Sequence, residues 1–231
     1  TVQGLQFAYD SDRADPRPRH LVAGVVRGVG GYGNCVGVPT VGGELVFDPS
    51  YRGNPLVNVM AIGLLEERLL TRAAAPGPGN LVVLFGSTTG RDGSGGASVL
   101  ASATFTEDDP SKRPSVQVGD PFAEKLLIEA SLELIGGGLV EGLQDLGAGG
   151  ITCATSETAD RAGTGMLVDL DAVPRREPGM APFEVMISES QERMLAIVSP
   201  DRYEAVREVC ERWGLPCAVI GRVTGDGDIA V

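Results

Sequence analysis

Residues 139–161, LVEGLQDLGAGGITCATSETADR, place the tightest constraint on how this chain can fold. An apolar run leads to an acid, Asp145, and a glycine turn at residues 147–150 opens an amphipathic segment rich in Ser and Thr. This order predicts a strand, a tight turn and the start of a helix. Such a turn exposes backbone N–H groups beside the positive end of the helix, where an anion or a metal ion can bind. The stretch therefore predicts a ligand site where the strand meets the helix.

Strand-like and helix-like segments alternate along the chain. Residues 81–85, LVVLF, form a continuous apolar run between turn residues, which predicts a strand covered on both faces. Asp120 followed by Pro121 predicts the N-cap and first position of a helix that extends to about Ile135. Because several predicted strands are joined by hairpin-length loops, we predict an α/β (α+β) fold, a mixed sheet with helices packed on it.

The first 70 residues predict a helix followed by a shaped loop. Apolar residues recur at helical spacing over 19–29, and the glycine pair at 30–31 is expected to end that helix. The glycine-rich segment 31–44 then predicts a tight loop. Within this segment, Cys35 is predicted to be a small buried side chain rather than a reactive thiol.

A change of composition predicts a domain boundary near residue 72. The segment 71–80, TRAAAPGPGN, is rich in small residues, proline and glycine, as linkers are. We therefore predict one domain over residues 1–72 and a second over 73–231.

Charge and composition exclude two classes of partner. The formal net charge of −12 argues against a nucleic-acid surface, since phosphate binding requires clustered Lys and Arg. A run of about 18 apolar residues is lacking, so no membrane span is predicted. The four cysteines form no CxxC pair, which favours a reducing, cytoplasmic location over a disulfide framework.

Polar side chains lie where apolar elements meet small or glycine-rich turns: Gln117, Asp145, Glu189, Ser190 and Gln191. A buried carboxylate at Asp145 requires a partner. From the residues alone, helix capping is favoured over a hard divalent cation such as magnesium.

A second glycine-rich segment, residues 86–96, also leaves two readings open. It predicts either a long turn or a close approach of backbone to a ligand or neighbouring domain. It lacks GxxxxGK[ST], so a P-loop is excluded.

Five motifs together resemble the synthetase subunit of phosphoribosylformylglycinamidine synthase. This enzyme is a member of the AIR synthase-related superfamily, and the motifs occur in its order over nearly the whole chain. The resemblance implies part of an AIR synthase N-terminal-like domain followed by an AIR synthase C-terminal-like domain. The motifs are GYGNCVGVPTVGGE (31–44), GRDGSGGAS (90–98), QVGDPFAEKLLIEA (117–130), QDLGAGGI (144–151) and ESQERM (189–194).

The resemblance implies an ATP-dependent carbon–nitrogen ligase of purine biosynthesis. Such an enzyme converts formylglycinamide ribonucleotide to the amidine with glutamine-derived ammonia, assisted by Mg²⁺ and partnered by a glutaminase subunit and a small accessory subunit. Carried over by motif position, Asp145 is expected to be a magnesium ligand. Gln117, Glu189, Ser190 and Gln191 are expected to bind the substrate.

The family's catalytic histidine and most of its ATP ligands are expected outside this chain. The one histidine, His20, lies in none of the five motifs and is not assigned that role. We therefore expect the isolated chain to be inactive. The alternatives are another ATP-dependent enzyme of the superfamily, such as aminoimidazole ribonucleotide synthetase, or a non-catalytic domain that docks a partner.

Overall fold

A computed structural model describes residues 2–7, 17–51, 55–94, 96 and 116–231. By their contacts, the described residues up to Leu65 form one unit and those from Glu66 onward form mainly a second. The predicted boundary between residues 72 and 73 stays a prediction.

The first unit contains a three-stranded sheet and one long helix. Strand β1 (Val2–Phe7) lies in the middle of the sheet, parallel to β2 (Gly42–Phe47) and antiparallel to β3 (Leu56–Met60). Helix α1 (Arg17–Val36) lies between β1 and β2 in sequence. A parallel pair of strands needs such a crossover connection, because a short hairpin can join only antiparallel strands.

Helix α1 is longer than the sequence pattern predicts. The expected stop at residues 30–31 is wrong, because the helix continues to Val36. The residue that follows, Gly37, has a left-handed backbone with φ of 79°. Glycine inside a helix costs only about 0.5–1 kcal/mol, so its presence alone does not end one. The start of the predicted loop at 31–44 is therefore helical, and Cys35, predicted to be buried, is exposed.

The second unit is built on a six-stranded mixed sheet with strand order β5-β7-β4-β8-β6-β9. Neighbouring strands are antiparallel, except for the parallel pair β6 and β9. The strands are β4 (Leu81–Gly86), β5 (Gly142–Asp145), β6 (Gly165–Val168), β7 (Arg193–Val198), β8 (Cys217–Thr224) and β9 (Ile229–Ala230). The helices are α2 (Pro121–Gly136), α3 (Gly150–Ala162), α4 (Pro182–Ile187) and α5 (Tyr203–Arg212).

Helices cover both faces of this sheet. Alternate residues of a strand point to opposite faces. In β4, Val82 and Leu84 pack in one cluster with residues of α3 and α4. Val83 and Phe85 pack in a second cluster with residues of α2 and α5. The prediction of a strand covered on both sides is confirmed, as is a mixed sheet with helices packed on it.

The start of α2 also matches its prediction. The side chain of Asp120 accepts hydrogen bonds from the backbone N–H groups of Phe122 at 3.0 Å and Ala123 at 3.1 Å, and Pro121 occupies the first helical position. Within the described part of the chain, no helix is long and apolar enough to cross a membrane.

Candidate functional site

Three chain segments meet at one end of the six-stranded sheet. Strand pairing places Gly86, at the end of β4, opposite Arg193, the first residue of β7. It also places Asp145, at the end of β5, opposite Met194. The residues that lead into β7, 188–192, are called the corner. The two predicted positions Asp145 and 189–191 are therefore neighbours.

The corner is tightly held. Ser188, Glu189 and Ser190 are buried, with exposed fractions of 0%, 1% and 0%. Glu192 has a left-handed backbone with φ of 57°, and its carboxylate accepts a hydrogen bond from the N–H of Asp120 at 3.1 Å. A non-glycine residue in this conformation costs about 1–3 kcal/mol and persists only where the surrounding structure holds it.

The carboxylate of Glu189 joins two other segments to the corner. Its Oε2 accepts a hydrogen bond from Nε2 of Gln117 at 2.8 Å, and its Oε1 accepts one from the N–H of Gly149 at 3.0 Å. Gly149 is the N-cap of α3, where the helix dipole favours a negative charge. One buried acid thus brings together the glycine turn, the segment before α2 and the corner.

Asp145 does not cap α3. The N–H of the N-cap residue Gly149 donates to Glu189, and the hydrogen bond that Asp145 accepts comes from its neighbour Gln144, at 3.0 Å. The capping hypothesis is therefore wrong. The Asp145 side chain is exposed at the end of its strand, and it stays available to a ligand.

The surroundings of Asp145 are acidic. Burial, followed by the negative charges of Glu192 and Asp145, raises the pKa of the Glu124 carboxyl. An excess of carboxylate oxygens suits a hard divalent cation. Among the described residues no group of three or more His, Cys, Asp or Glu is arranged to hold a metal alone. Asp145 therefore fits magnesium as one protein ligand, since Mg²⁺ commonly takes one or two carboxylates and completes its shell with water and phosphate oxygens.

The hydroxyl of Ser190 is used within the protein. It donates to Oδ1 of Asp92 at 2.6 Å and accepts from the N–H of Gly90 at 3.0 Å. The glycine loop is pressed against the corner, because a Cβ on Gly93 would lie 2.8 Å from Cβ of Glu189. This approach is made within the second unit, so the choice between a long turn and a close approach to a ligand or neighbouring domain stays open.

Gln191 lines a cavity of about 570 Å³ beside the corner. Its Nε2 donates to the carbonyl of Glu189 at 2.7 Å. Asp92, Asp120 and Arg176 line the same cavity, so its wall carries charges of both signs.

Three arginines of this region were not singled out by the sequence pattern. Arg91 pairs with Glu177 at 3.1 Å and with Glu184 at 2.9 Å. Arg176 pairs with Asp92. Arg193 is buried behind the corner. Two of the three lie inside the motifs GRDGSGGAS and ESQERM, but a motif alone does not say which of its residues are buried.

Family models match both parts of the chain. The AIR synthase related protein N-terminal domain matches residues 5–65, and the AIR synthase related protein C-terminal domain matches residues 77–231. The chain belongs to the AIR synthase related family.

Within this family, the chain is similar to PurL proteins. The chain is 58% identical over 213 residues to the phosphoribosylformylglycinamidine synthase subunit PurL of Moorella thermoacetica, a match covering 92% of this chain and 29% of that protein. PurL of T. maritima complexed with FGAR is 45% identical, with a TM-score of 0.87 over 97% of this chain and 35% of that one. The same protein complexed with ATP has a TM-score of 0.80 at 42% identity, over 97% of this chain and 33% of that one. The predicted resemblance is confirmed, and the chain spans about a third or less of these relatives' lengths.

Proposed function

We propose that this chain forms part of the formylglycinamide ribonucleotide site of an ATP-dependent phosphoribosylformylglycinamidine synthase of purine biosynthesis. The observation that carries the proposal is the buried Glu189 carboxylate, which accepts one hydrogen bond from Gln117 and one from the glycine turn. The similarity to a PurL complexed with FGAR supports the same assignment.

Gln117 is the residue best placed to contact the substrate. Glu189 accepts from its Nε2 and so fixes the side-chain amide, whose carbonyl oxygen can accept a hydrogen bond from the substrate amide or a ribose hydroxyl. Gln117 is exposed, so a ligand can reach it. Gln191 contributes from the wall of the cavity.

Glu189 and Ser190 serve the site from behind. Both side chains are buried and take hydrogen bonds from within the protein. Their role in substrate binding is to hold Gln117 and the corner in place.

Asp145 supplies a ligand for magnesium. A magnesium ion held there would supply positive charge to offset the phosphate charge of an ATP-dependent phosphorylation. Asp145 would hold the ion through its carboxylate, which is exposed at the end of β5.

The remaining parts of the reaction belong to the longer protein and its partners. Most ATP ligands and the catalytic histidine lie outside this chain, so the isolated chain is inactive. Ammonia comes from a glutaminase subunit, and a small accessory subunit completes the complex. The description of the Moorella thermoacetica relative as a subunit supports such an assembly.

Isothermal titration of formylglycinamide ribonucleotide into the full-length protein, with Mg²⁺ present, tests this proposal. Gln117→Met removes the amide at similar volume and should weaken binding about tenfold, the effect of one hydrogen bond. Asp145→Asn should weaken the Mg²⁺-dependent part of the binding. The control Glu204→Gln, on the exposed side of α5, should leave affinity unchanged. A wild-type protein that binds neither the ribonucleotide nor Mg²⁺ would favour a structural domain and refute the proposal. Turnover by the full-length protein of a substrate other than formylglycinamide ribonucleotide would identify another superfamily enzyme.

A further inference from the structure

Arg193 is a buried cation directly behind the corner. Its exposed fraction is 2%, and burial lowers the pKa of its guanidinium to about 10, so it remains charged at neutral pH. A buried charge is costly unless it is well satisfied by hydrogen bonds. The sequence places this charge at the first residue of β7, immediately after the left-handed Glu192.

Three hydrogen bonds satisfy the Arg193 guanidinium, and their partners are neutral. Its Nη2 donates to the carbonyl of Ser188 at 2.6 Å, and its Nε donates to the carbonyl of Ser190 at 2.7 Å. Its Nη1 donates to the hydroxyl of Thr89 at 2.8 Å. The first two carbonyls belong to the residues on either side of Glu189. Arg193 therefore holds the backbone immediately before and immediately after the buried acid by hydrogen bonds.

The position of this backbone matters for the site, because the Glu189 carboxylate hydrogen-bonds to two other segments of the chain. It holds Gln117 through Oε2 and the Gly149 N–H through Oε1. A carboxylate bound to two segments transmits any rotation of its own backbone to both of them. The hydrogen bond from Arg193 to Thr89 also ties the glycine loop after β4 to the corner.

We propose that Arg193 is a positioning residue that sets the direction of the Glu189 carboxylate, and through it the placement of Gln117 and of the turn at Gly149. The effect on the substrate rests on the proposed function, whereas the effect on the turn does not. A planar guanidinium can donate to two carbonyls and a hydroxyl at once, because its N–H donors form a rigid fork. A lysine ammonium is a point charge and lacks this fork. The position therefore requires arginine rather than any cation.

The test uses the full-length protein with three variants and one control. Arg193→Lys keeps the charge and loses the fork, Arg193→Met loses both, and Thr89→Val removes one acceptor at equal volume. Val206→Ala, a core change on α5 on the opposite face of the sheet, supplies a matched loss of thermal stability. Hydrogen-exchange mass spectrometry of peptides covering residues 146–152 reports the turn. Titration calorimetry and steady-state kinetics with formylglycinamide ribonucleotide report the site.

In Arg193→Met, exchange at the turn should be at least about tenfold faster, and the dissociation constant about tenfold higher, as expected for one lost hydrogen bond to a charged group. KM should rise more than kcat falls, and Arg193→Lys should recover only part of the loss. Val206→Ala should change neither quantity at the same fall in Tm. If Arg193→Met does not fold, Arg193→Lys and Thr89→Val give the same readouts with smaller changes.

The proposal is overturned if exchange at the turn is unchanged in the Arg193 and Thr89 variants, or if Val206→Ala changes it equally. Failure of the proposed function gives a different pattern. In that case the wild type would not bind the ribonucleotide, while exchange at the turn would still respond to Arg193.

Discussion

Replacing Gly150 with alanine tests how closely the glycine turn packs against the corner. Gly150 begins α3 with a left-handed φ of 55°, and a Cβ built on it would lie 2.0 Å from the carbonyl oxygen of Ser188. That carbonyl accepts the hydrogen bond from Nη2 of Arg193. Gly150→Ala must therefore displace backbone that a buried cation holds in place.

The expected cost has two parts. A left-handed backbone costs a residue with a Cβ about 1–2 kcal/mol relative to glycine. Moving the Ser188 carbonyl far enough to relieve the overlap breaks a hydrogen bond to a charged group, which costs about 1.5–3 kcal/mol. Together these predict a loss of about 2.5–5 kcal/mol in the free energy of unfolding.

Two other glycines separate these parts. Gly163 ends α3 with φ of 65° and has nothing within 4 Å of a built Cβ, so Gly163→Ala should cost only the backbone part, about 1–2 kcal/mol. Gly136, the last residue of α2, has open space around it and a φ outside the left-handed region, so Gly136→Ala should stabilise by about 0.5–1 kcal/mol.

Urea unfolding followed by tryptophan fluorescence measures all three changes. The chain has a single tryptophan, Trp213, whose Nε1 donates to Glu133 at 2.9 Å, so its emission reports on the second unit. The reasoning is refuted if Gly150→Ala costs no more than Gly163→Ala. Equal values would mean that the turn does not press on the Ser188 carbonyl.

Three further predictions concern stability. Hydrogen bonds from the Arg91 side chain hold the pKa of Glu184 below its ordinary 4.5. The stability that this ion pair adds to the folded protein is therefore present above pH 4.5 and is lost as the pH falls through the lowered pKa. Arg91→Met should therefore be less stable than wild type at pH 7 in urea unfolding, with a difference that shrinks below pH 4.5; a difference constant with pH would contradict this. Asp120→Ala removes the cap of α2 and should lower the unfolding free energy by about 1 kcal/mol, whereas Asp120→Asn should keep most of the cap's contribution; equal losses in chemical denaturation would contradict the assignment of the loss to the capping hydrogen bonds. Phe85→Ala, at 1% exposure, should cost about 3–5 kcal/mol, and Phe122→Ala, at 71% exposure, should cost little; calorimetric melting of the two variants would contradict the assigned core if they lost equal stability.

Local patterns predicted the individual elements well. The apolar run of β4 and the Asp120 cap of α2 are set by neighbours in sequence, and both are observed. The glycine stop in α1 failed because glycine permits helical backbone as well as left-handed backbone. Where a helix ends depends on which glycine takes the left-handed conformation, and here it is Gly37.

The sequence singled out the polar residues of the candidate site, but it did not predict the hydrogen bonds between them. Asp145 was favoured as a cap from the residues alone, yet the acid at the N-terminus of α3 is Glu189, which is 40 residues away from Gly149. Gln117 and Glu189 are 72 residues apart, and Arg193 bridges 104 residues to reach Thr89. Hydrogen bonds over such separations leave no periodic signal in a sequence.

The sequence by itself determined the alternation of strands and helices, the capped start of α2 and the polar residues that lie at the element ends. It also determined the family, through five motifs spread along the chain. Only the tertiary structure decided which of those polar residues meet, because the pairing of β5 and β4 with β7 brings together segments that are distant in sequence. A buried charge takes the partners that the folded sheet presents to it, so the links from Glu189 to Gln117 and Gly149, and from Arg193 to the corner, exist only in the folded protein.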